Sequence, residues 1–388
     1  MSKDIFNKIH YEVYKQSSQQ LHKYMGLPDV PFYEIIDLLD KELKHKSNVF
    51  PFDAACRQYI NFVFQQMQKD MKLTDTKEDE RARFWDIYMP YMFYKHGKKL
   101  FRPTKELIHM LIDTEIKNLD AFFVKSPFKS IYITIPNDVK LMNPFNLPVN
   151  GLYIVLYEKE DIDYEGFSEE FQEYKNYEHS KSLIVCAISD IILPPTDPRE
   201  TMYYWNLALR EGDLSNQVNT LLNKYDEDYT SQQYSKCKET YNRTFLENIL
   251  FFCINFLLYI NAKNDFKYVN KEKSSNKKQP KSKSKIKKAQ KKSSLPYYEI
   301  GTDIVIEHSY KKVINLYDKS ATEKRRLTGR WVVRGHWRNQ AHGQAFSERK
   351  LKWIQPYIKG EDLSEIIDKQ YIVKWVTEKQ EEEYKKNI

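Results

Sequence analysis

Glycine is scarce, with 10 residues in a chain of 388. Neither GxGxxG nor GxxxxGK[ST] occurs, so the backbone loops that cradle phosphates in the common nucleotide-binding folds are missing. Cysteine is scarcer still. Cys56, Cys186, Cys237 and Cys253 stand far apart with no CxxC pair, which argues against a zinc ribbon or a disulfide framework and fits a reducing cytosol. The N-terminus, MSKDIFNKIHYEVYK, is polar and amphipathic and has no apolar signal core. No apolar run reaches the roughly 20 residues of a membrane span. The longest candidate, FLENILFFCINFLLYI (residues 245–260), is apolar from Ile249 to its end except for Asn255 and reads as a buried core helix. These absences point to a soluble cytoplasmic protein with no membrane association, cofactor or bound metal.

What is present is hydrophobic content of 41%, charge of 30% and an aromatic share of 14%, led by 29 Tyr and 21 Phe. That composition can bury a core, and the length suggests two or three domains. The net charge of +8 looks like a nucleic-acid signal, but it is concentrated. Residues 271–292 (KEKSSNKKQPKSKSKIKKAQKK) hold eleven lysines against Glu272, and removing them leaves 51 basic and 53 acidic residues elsewhere. Without an apolar period, this stretch reads as a disordered linker extended by self-repulsion. It is either a solvated tether or an arm that adds salt-sensitive affinity for RNA or DNA.

Periodicity divides the rest into an α+β chain. Residues 1–118 read as a helical domain. Phe52, Ala55/Cys56, Tyr59, Val63, Met67 and Met71 recur at three- and four-residue spacing. Residues 78–94 are also helical, with Pro90 expected to end or kink the helix. Thr104 stands as an N-cap before TKELIHMLIDTEI. Residues 119–265 read as an α+β domain, with β-rich runs at 130–136, 152–158, 183–193 and 202–209 followed by helices at 213–225 and 240–262. Residues 266–294 form the lysine-rich linker, and 295–388 a small β-rich basic module. Asp190, Asp197 and the acidic residues of 158–163 read as solvated turns and edges.

The C-terminal module is the informative part. It carries Trp331, Trp337, Trp353 and Trp375, with strands expected at 298–307, 329–340, 350–358 and 371–376. Along RWVVRGHWRNQ, one strand would put Arg330, Val332, Arg334, His336, Arg338 and Gln340 on one side, and Trp331, Val333, Gly335 and Trp337 on the other. Residues 322–360 hold ten Lys/Arg against Glu323 and Glu348. A fixed row of guanidinium and ammonium groups matches phosphate oxygens, and Phe346 and Tyr357 offer stacking surfaces. The candidate nucleic-acid contacts are therefore Arg330, Arg334, His336, Arg338, Gln340, Arg349, Lys350, Lys352 and Tyr357. There are two other readings: Arg334 and Arg338 could pair with acids of the earlier segments, or His336 and His342, flanking a loop with His342 in an expected turn, could serve with Arg338 a metal-independent ribonuclease as base, acid and phosphorane-stabilising cation. A 336/342 pair lacks the third and fourth ligands of a zinc site.

RGHWRNQ (334–340), Gly343 and KLKWIQPYIKG (350–360) resemble the GHWRxQxxG…WIxPxxxG signature of a family carried by phages, plasmids and prophages, which includes an anti-CRISPR inhibitor of the type V-A effector nuclease. Fainter likeness extends to 111–136, 246–260 and the linker. The chain departs at Trp331-Val332, where members often have a further histidine, and at His342, where an aromatic is more usual. Both departures weaken a two-histidine reaction. The resemblance implies a mobile-element protein in the bacterial cytosol that lowers the production or activity of a nucleic-acid-targeting effector. It would act by contacting RNA or a ribonucleoprotein, or alternatively by gripping a protein effector while the C-terminal module is structural. Oligomeric state and target leave no readable mark.

Overall fold

The computed structural model describes residues 9–27, 29–43, 50–71, 77–162, 180–189, 202–230, 242–262, 267–269, 295–302, 330–333, 335–354, 357–359 and 366–367. Four helices come first: α1 (His10–Tyr24), α2 (Phe32–Glu42), α3 (Asp53–Met71) and α4 (Lys77–Lys95). On α3 the buried apolar residues are Ala55, Cys56, Tyr59, Ile60 and Val63, which fits the spacing over this part of the helix; Phe52 precedes the helix and is half-buried, and the side chains of Met67 and Met71 lie outside the described residues. Pro90 does not end α4, which runs on to Lys95. Tyr88, Met89, Tyr91, Met92 and Phe93 around it are fully buried. Five large side chains taken from water outweigh the roughly 3 kcal/mol that an internal proline costs.

A seven-stranded mixed sheet follows. β1 (Lys99–Pro103) leads into α5 (Lys105–Ile112), then come β2 (Ser130–Thr134), β3 (Val149–Glu158), β4 (Lys181–Ser189) and β5 (Met202–Leu209). Helices α6 (Leu214–Thr230) and α7 (Arg243–Ala262) precede β6 (Lys267–Val269) and β7 (Tyr297–Ile300). The strand order is β5-β4-β3-β2-β1-β7-β6. β1 lies parallel to both neighbours and the other pairings are antiparallel. Thr104 caps α5 as expected, its Oγ1 accepting from Leu107 N at 3.3 Å. Gly301 turns off β7 at φ +83°, where a Cβ would lie 2.7 Å from Leu107 Cβ. Only glycine lets that strand end so close over the first turn of α5.

The strands alternate as their period of two requires. Ile131, Ile133, Leu152, Ile154, Leu183 and Val185 pack toward α5, α6 and α7. Tyr132, Tyr153, Val155, Tyr157, Ile184 and Cys186 pack beneath α1–α4. With both faces covered, β4 is buried along its whole length. The chain is thus α+β, with one sheet between two helical layers. The sheet draws β1 from the segment 1–118, β2–β5 from 119–265, β6 from the start of 266–294 and β7 from 295–388. The rest of the lysine-rich stretch, 270–294, lies outside the described residues, as do Cys237, Asp190 and Asp197. α7 meets the length and composition of a membrane span, yet it is the core helix expected from its sequence, with Phe245 to Ile260 almost continuously buried.

The expected strand at 329–340 is two strands: β8 (Arg330–Val333) and β9 (His336–His342). They belong to different small sheets. β9 pairs antiparallel with β10 (Glu348–Ile354), while β8 lies between β11 (Tyr357–Lys359) and β12 (Ile366–Ile367). The expected strand at 350–358 divides in the same way into β10 and β11. The alternation read from 330 to 340 therefore does not run continuously and holds only within each strand separately. The strand expected at 371–376 lies outside the described residues.

Candidate nucleic-acid interface

The β9–β10 hairpin is positioned by its tryptophans. Trp337 and Trp353 are directly paired across the strands, and each is 8% exposed. Rings of this size remove roughly 200 Å² apiece from water, or about 5 kcal/mol each at ~25 cal/mol per Å², as an upper estimate. Trp353 meets Tyr259 of α7 edge to face, with centroids 5.1 Å apart. Trp337 Nε1 donates to Asn255 Oδ1 at 2.8 Å. Asn255 Nδ2 in turn donates to Leu111 O and Thr114 O, both at 2.8 Å. The one polar residue in the apolar run of α7 thus clamps the end of α5 to the hairpin. A backbone bridge between Glu115 and His336 closes the same seam.

Side chains directly opposite one another in an antiparallel pair share a face. Arg338 opposes Lys352 and Gln340 opposes Lys350, so these four stand together, with His336 opposite Ile354 and His342 opposite Glu348. Arg338, Lys350 and Lys352 are exposed. Trp337, Asn339 and Ala341 take the other face with Trp353, Leu351 and Arg349. Arg349 is therefore across the hairpin from its neighbours Lys350 and Lys352. Arg330 and Tyr357 lie in the second small sheet, where Tyr357 pairs with Val333. Arg334 lies outside the described residues.

His336 and His342 share a face but stand six residues apart on one extended strand. At about 3.3 Å per residue that is about 20 Å, too far for both rings to serve one phosphate. His342 Nε2 instead sits 3.2 Å from Glu348 Oε2. No group of three or more metal-ligating side chains occurs among the described residues.

The hairpin turns through Gly343 to Phe346. Gly343 (φ +79°), Ala345 (φ +54°) and Phe346 (φ +57°) are left-handed, and Phe346 is 72% exposed. A bulky side chain in this region costs about 1 kcal/mol or more. Between the hairpin and the C-terminal end of α7 a groove of about 450 Å³ opens, reaching Tyr259 and Ala262. Sequence reading missed the contribution of α7 here, although the lone Asn255 in its apolar run was the visible sign that something polar had to meet it.

A family model described as AcrVA2-like, the anti-CRISPR type V subtype A2 family, matches residues 101–360. The chain belongs to this family. That makes it an anti-CRISPR-type inhibitor. Among solved structures it is similar to one titled "Crystal structure of AcrVA2", at 14% identity and a TM-score of 0.43, covering 90% of this chain and 99% of that one. This likeness is too distant to transfer the role of any residue. No curated protein matches the chain in sequence. The family span runs from within β1 to the end of β11 and so includes most of the sheet and the hairpin.

Proposed function

We propose that this family member lowers the production or activity of a nucleic-acid-targeting effector by contacting RNA or a ribonucleoprotein through the exposed face of the β9–β10 hairpin. The observation that carries the reading is the alignment of Arg338, Lys350 and Lys352 with Gln340 on one face, while the opposite face is fixed to the core by Trp337 and Trp353. Fixed cations lose less freedom on meeting phosphates than tethered ones, and arginine adds a bidentate fork.

The anchoring also favours a second reading, in which the hairpin is architecture and a protein effector is bound elsewhere. The two readings separate on salt dependence. For single-stranded RNA, each phosphate neutralised contributes about 0.7 to the slope of log affinity against log salt. Full-length Arg338→Ala/Lys350→Ala/Lys352→Ala is expected to lose about 2 from that slope and to lose inhibition of the effector. Unchanged affinity and slope, with inhibition intact, would establish the protein-binding reading instead.

A further inference from the structure

The groove between the hairpin and the end of α7 is not explained by a flat basic face. It runs along β10, an edge strand of its two-stranded sheet, so residues from both faces of the hairpin line it: Trp353 and Leu351 with Tyr259 on the apolar side, and Lys350 and Lys352 on the other. Gln340 and His342 add an amide and an imidazole. Its volume falls in the range of about 300–1,000 Å³ typical of small-ligand sites, and its mixture of apolar wall and few polar groups is typical too. Two ring nitrogens of its lining residues, Trp353 Nε1 and His342 Nδ1, are buried without a hydrogen-bond partner, the only such side-chain atoms of the hairpin among the described residues. Buried indole and imidazole nitrogens are usually paired, so orphans at a groove point to something that completes it.

We propose that this groove takes one unstacked base of a single-stranded RNA, with the adjoining phosphates held by Lys350 and Lys352. This rests on the proposed RNA contact and adds a subsite to it. The apolar wall accepts the flat face of a base, and the amide of Gln340 can both donate to and accept from a base edge. Glu348, whose Oε2 lies 3.2 Å from His342 Nε2, is the carboxylate beside the groove; in the register it sits toward the tip of the hairpin, away from Lys352. A duplex keeps its bases stacked and would reach only the lysines, so the site selects single strands. Because α7 supplies Tyr259 and Ala262, the binding unit is the folded chain and not its C-terminal residues alone.

The test compares the full-length protein's affinity for a 12-nucleotide oligouridylate with that for an abasic oligonucleotide of equal length and charge. Wild type is expected to favour the oligouridylate about tenfold, the scale of one stacked base. Ala262→Trp, at the C-terminal end of α7, fills the groove and leaves every cation in place. It is expected to remove that preference while keeping the abasic affinity and the salt slope. Gln340→Ala, on the strand surface, serves as the second variant should Ala262→Trp fail to fold, with an expected three- to tenfold loss confined to the oligouridylate. A preference retained in the folded variant, or absent from a wild type that binds both oligonucleotides with a salt slope, overturns the groove and leaves the basic face standing. A wild type that binds neither overturns both.

Discussion

Asn255 is the residue on which the placement of the hairpin depends, and its replacement can be worked through group by group. Its side chain is fully buried and makes three hydrogen bonds of 2.8 Å, to Leu111 O, Thr114 O and Trp337 Nε1. Leu111 O retains a second donor, Thr114 N at 3.3 Å. Removing the amide therefore orphans Thr114 O and the Trp337 indole most severely. Each buried unsatisfied group costs about 1–3 kcal/mol, so Asn255→Ala is expected to destabilise by about 3–5 kcal/mol once the small cavity is included. Asn255→Leu fills the cavity but rescues neither polar partner, and should remain at least about 2 kcal/mol below wild type. Trp337→Phe orphans only Asn255 Oδ1 and should cost about 2 kcal/mol. Because the two residues share one bond, the double mutant should recover about 1 kcal/mol relative to the sum. Urea unfolding gives the four stabilities, and hydrogen exchange in β9 reports whether the hairpin opens before the sheet. A near-neutral Asn255→Leu with unchanged exchange in β9 would refute the clamp.

Two further outcomes follow from other parts of the molecule. Burial pushes His10, which sits 3.2 Å from the Tyr153 hydroxyl, down to about 4, and burial lowers His22 as well. The unfolded imidazole takes a proton near its ordinary 6.5 while the folded one stays neutral. The stability from His10 is thus fully present above pH 6.5 and lost as pH falls toward 4, about 3 kcal/mol for this residue. The difference between wild type and His10→Gln in urea titrations across that range should show it, and a parallel pH profile would contradict it. At the hairpin tip, Phe346→Gly relieves a left-handed phenylalanine, offsetting the added freedom of the unfolded chain. Stability is expected to stay within about 0.5 kcal/mol of wild type while affinity for single-stranded RNA falls several-fold. Unaltered RNA affinity would reduce Phe346 to a bystander.

Much of the fold was legible because local pattern and tertiary environment agree. The Ile/Val/Tyr runs of β2 to β5, the Thr104 cap and the apolar run of α7 each specify their element without knowledge of neighbours. What escaped did so for physical reasons. β1 is the five-residue KLFRP, whose basic residues and proline hide a central strand that is made by its parallel partners β2 and β7. Pro90 was overridden by burial around it. In the hairpin, alternation identified the shared face of His336, Arg338 and Gln340, because a period of two is intrinsic to any strand. It could not reveal the break before β9 or the cross-strand placement of Lys350 and Lys352, which depends on register. Nor could it show that His342, read as flanking a loop, continues the strand of His336, which holds the two about 20 Å apart.

The same topology decides how the interface has to be studied. A fragment beginning at residue 295 takes β7 away from β1 and leaves Tyr297 and Ile300, both buried in the full chain, without their core. It also strips Trp337 of Asn255 and Trp353 of Tyr259. Such a fragment loses the contacts that keep one face of the hairpin dry, and its exposed indoles would bind nucleic acid and protein alike through an apolar surface that the intact molecule does not present. RNA binding by the fragment would therefore say little about the basic face. Substitutions on that face in the full chain, where Arg338, Lys350 and Lys352 are exposed and the tryptophans are covered, separate charge from stickiness and test the interface as the molecule presents it.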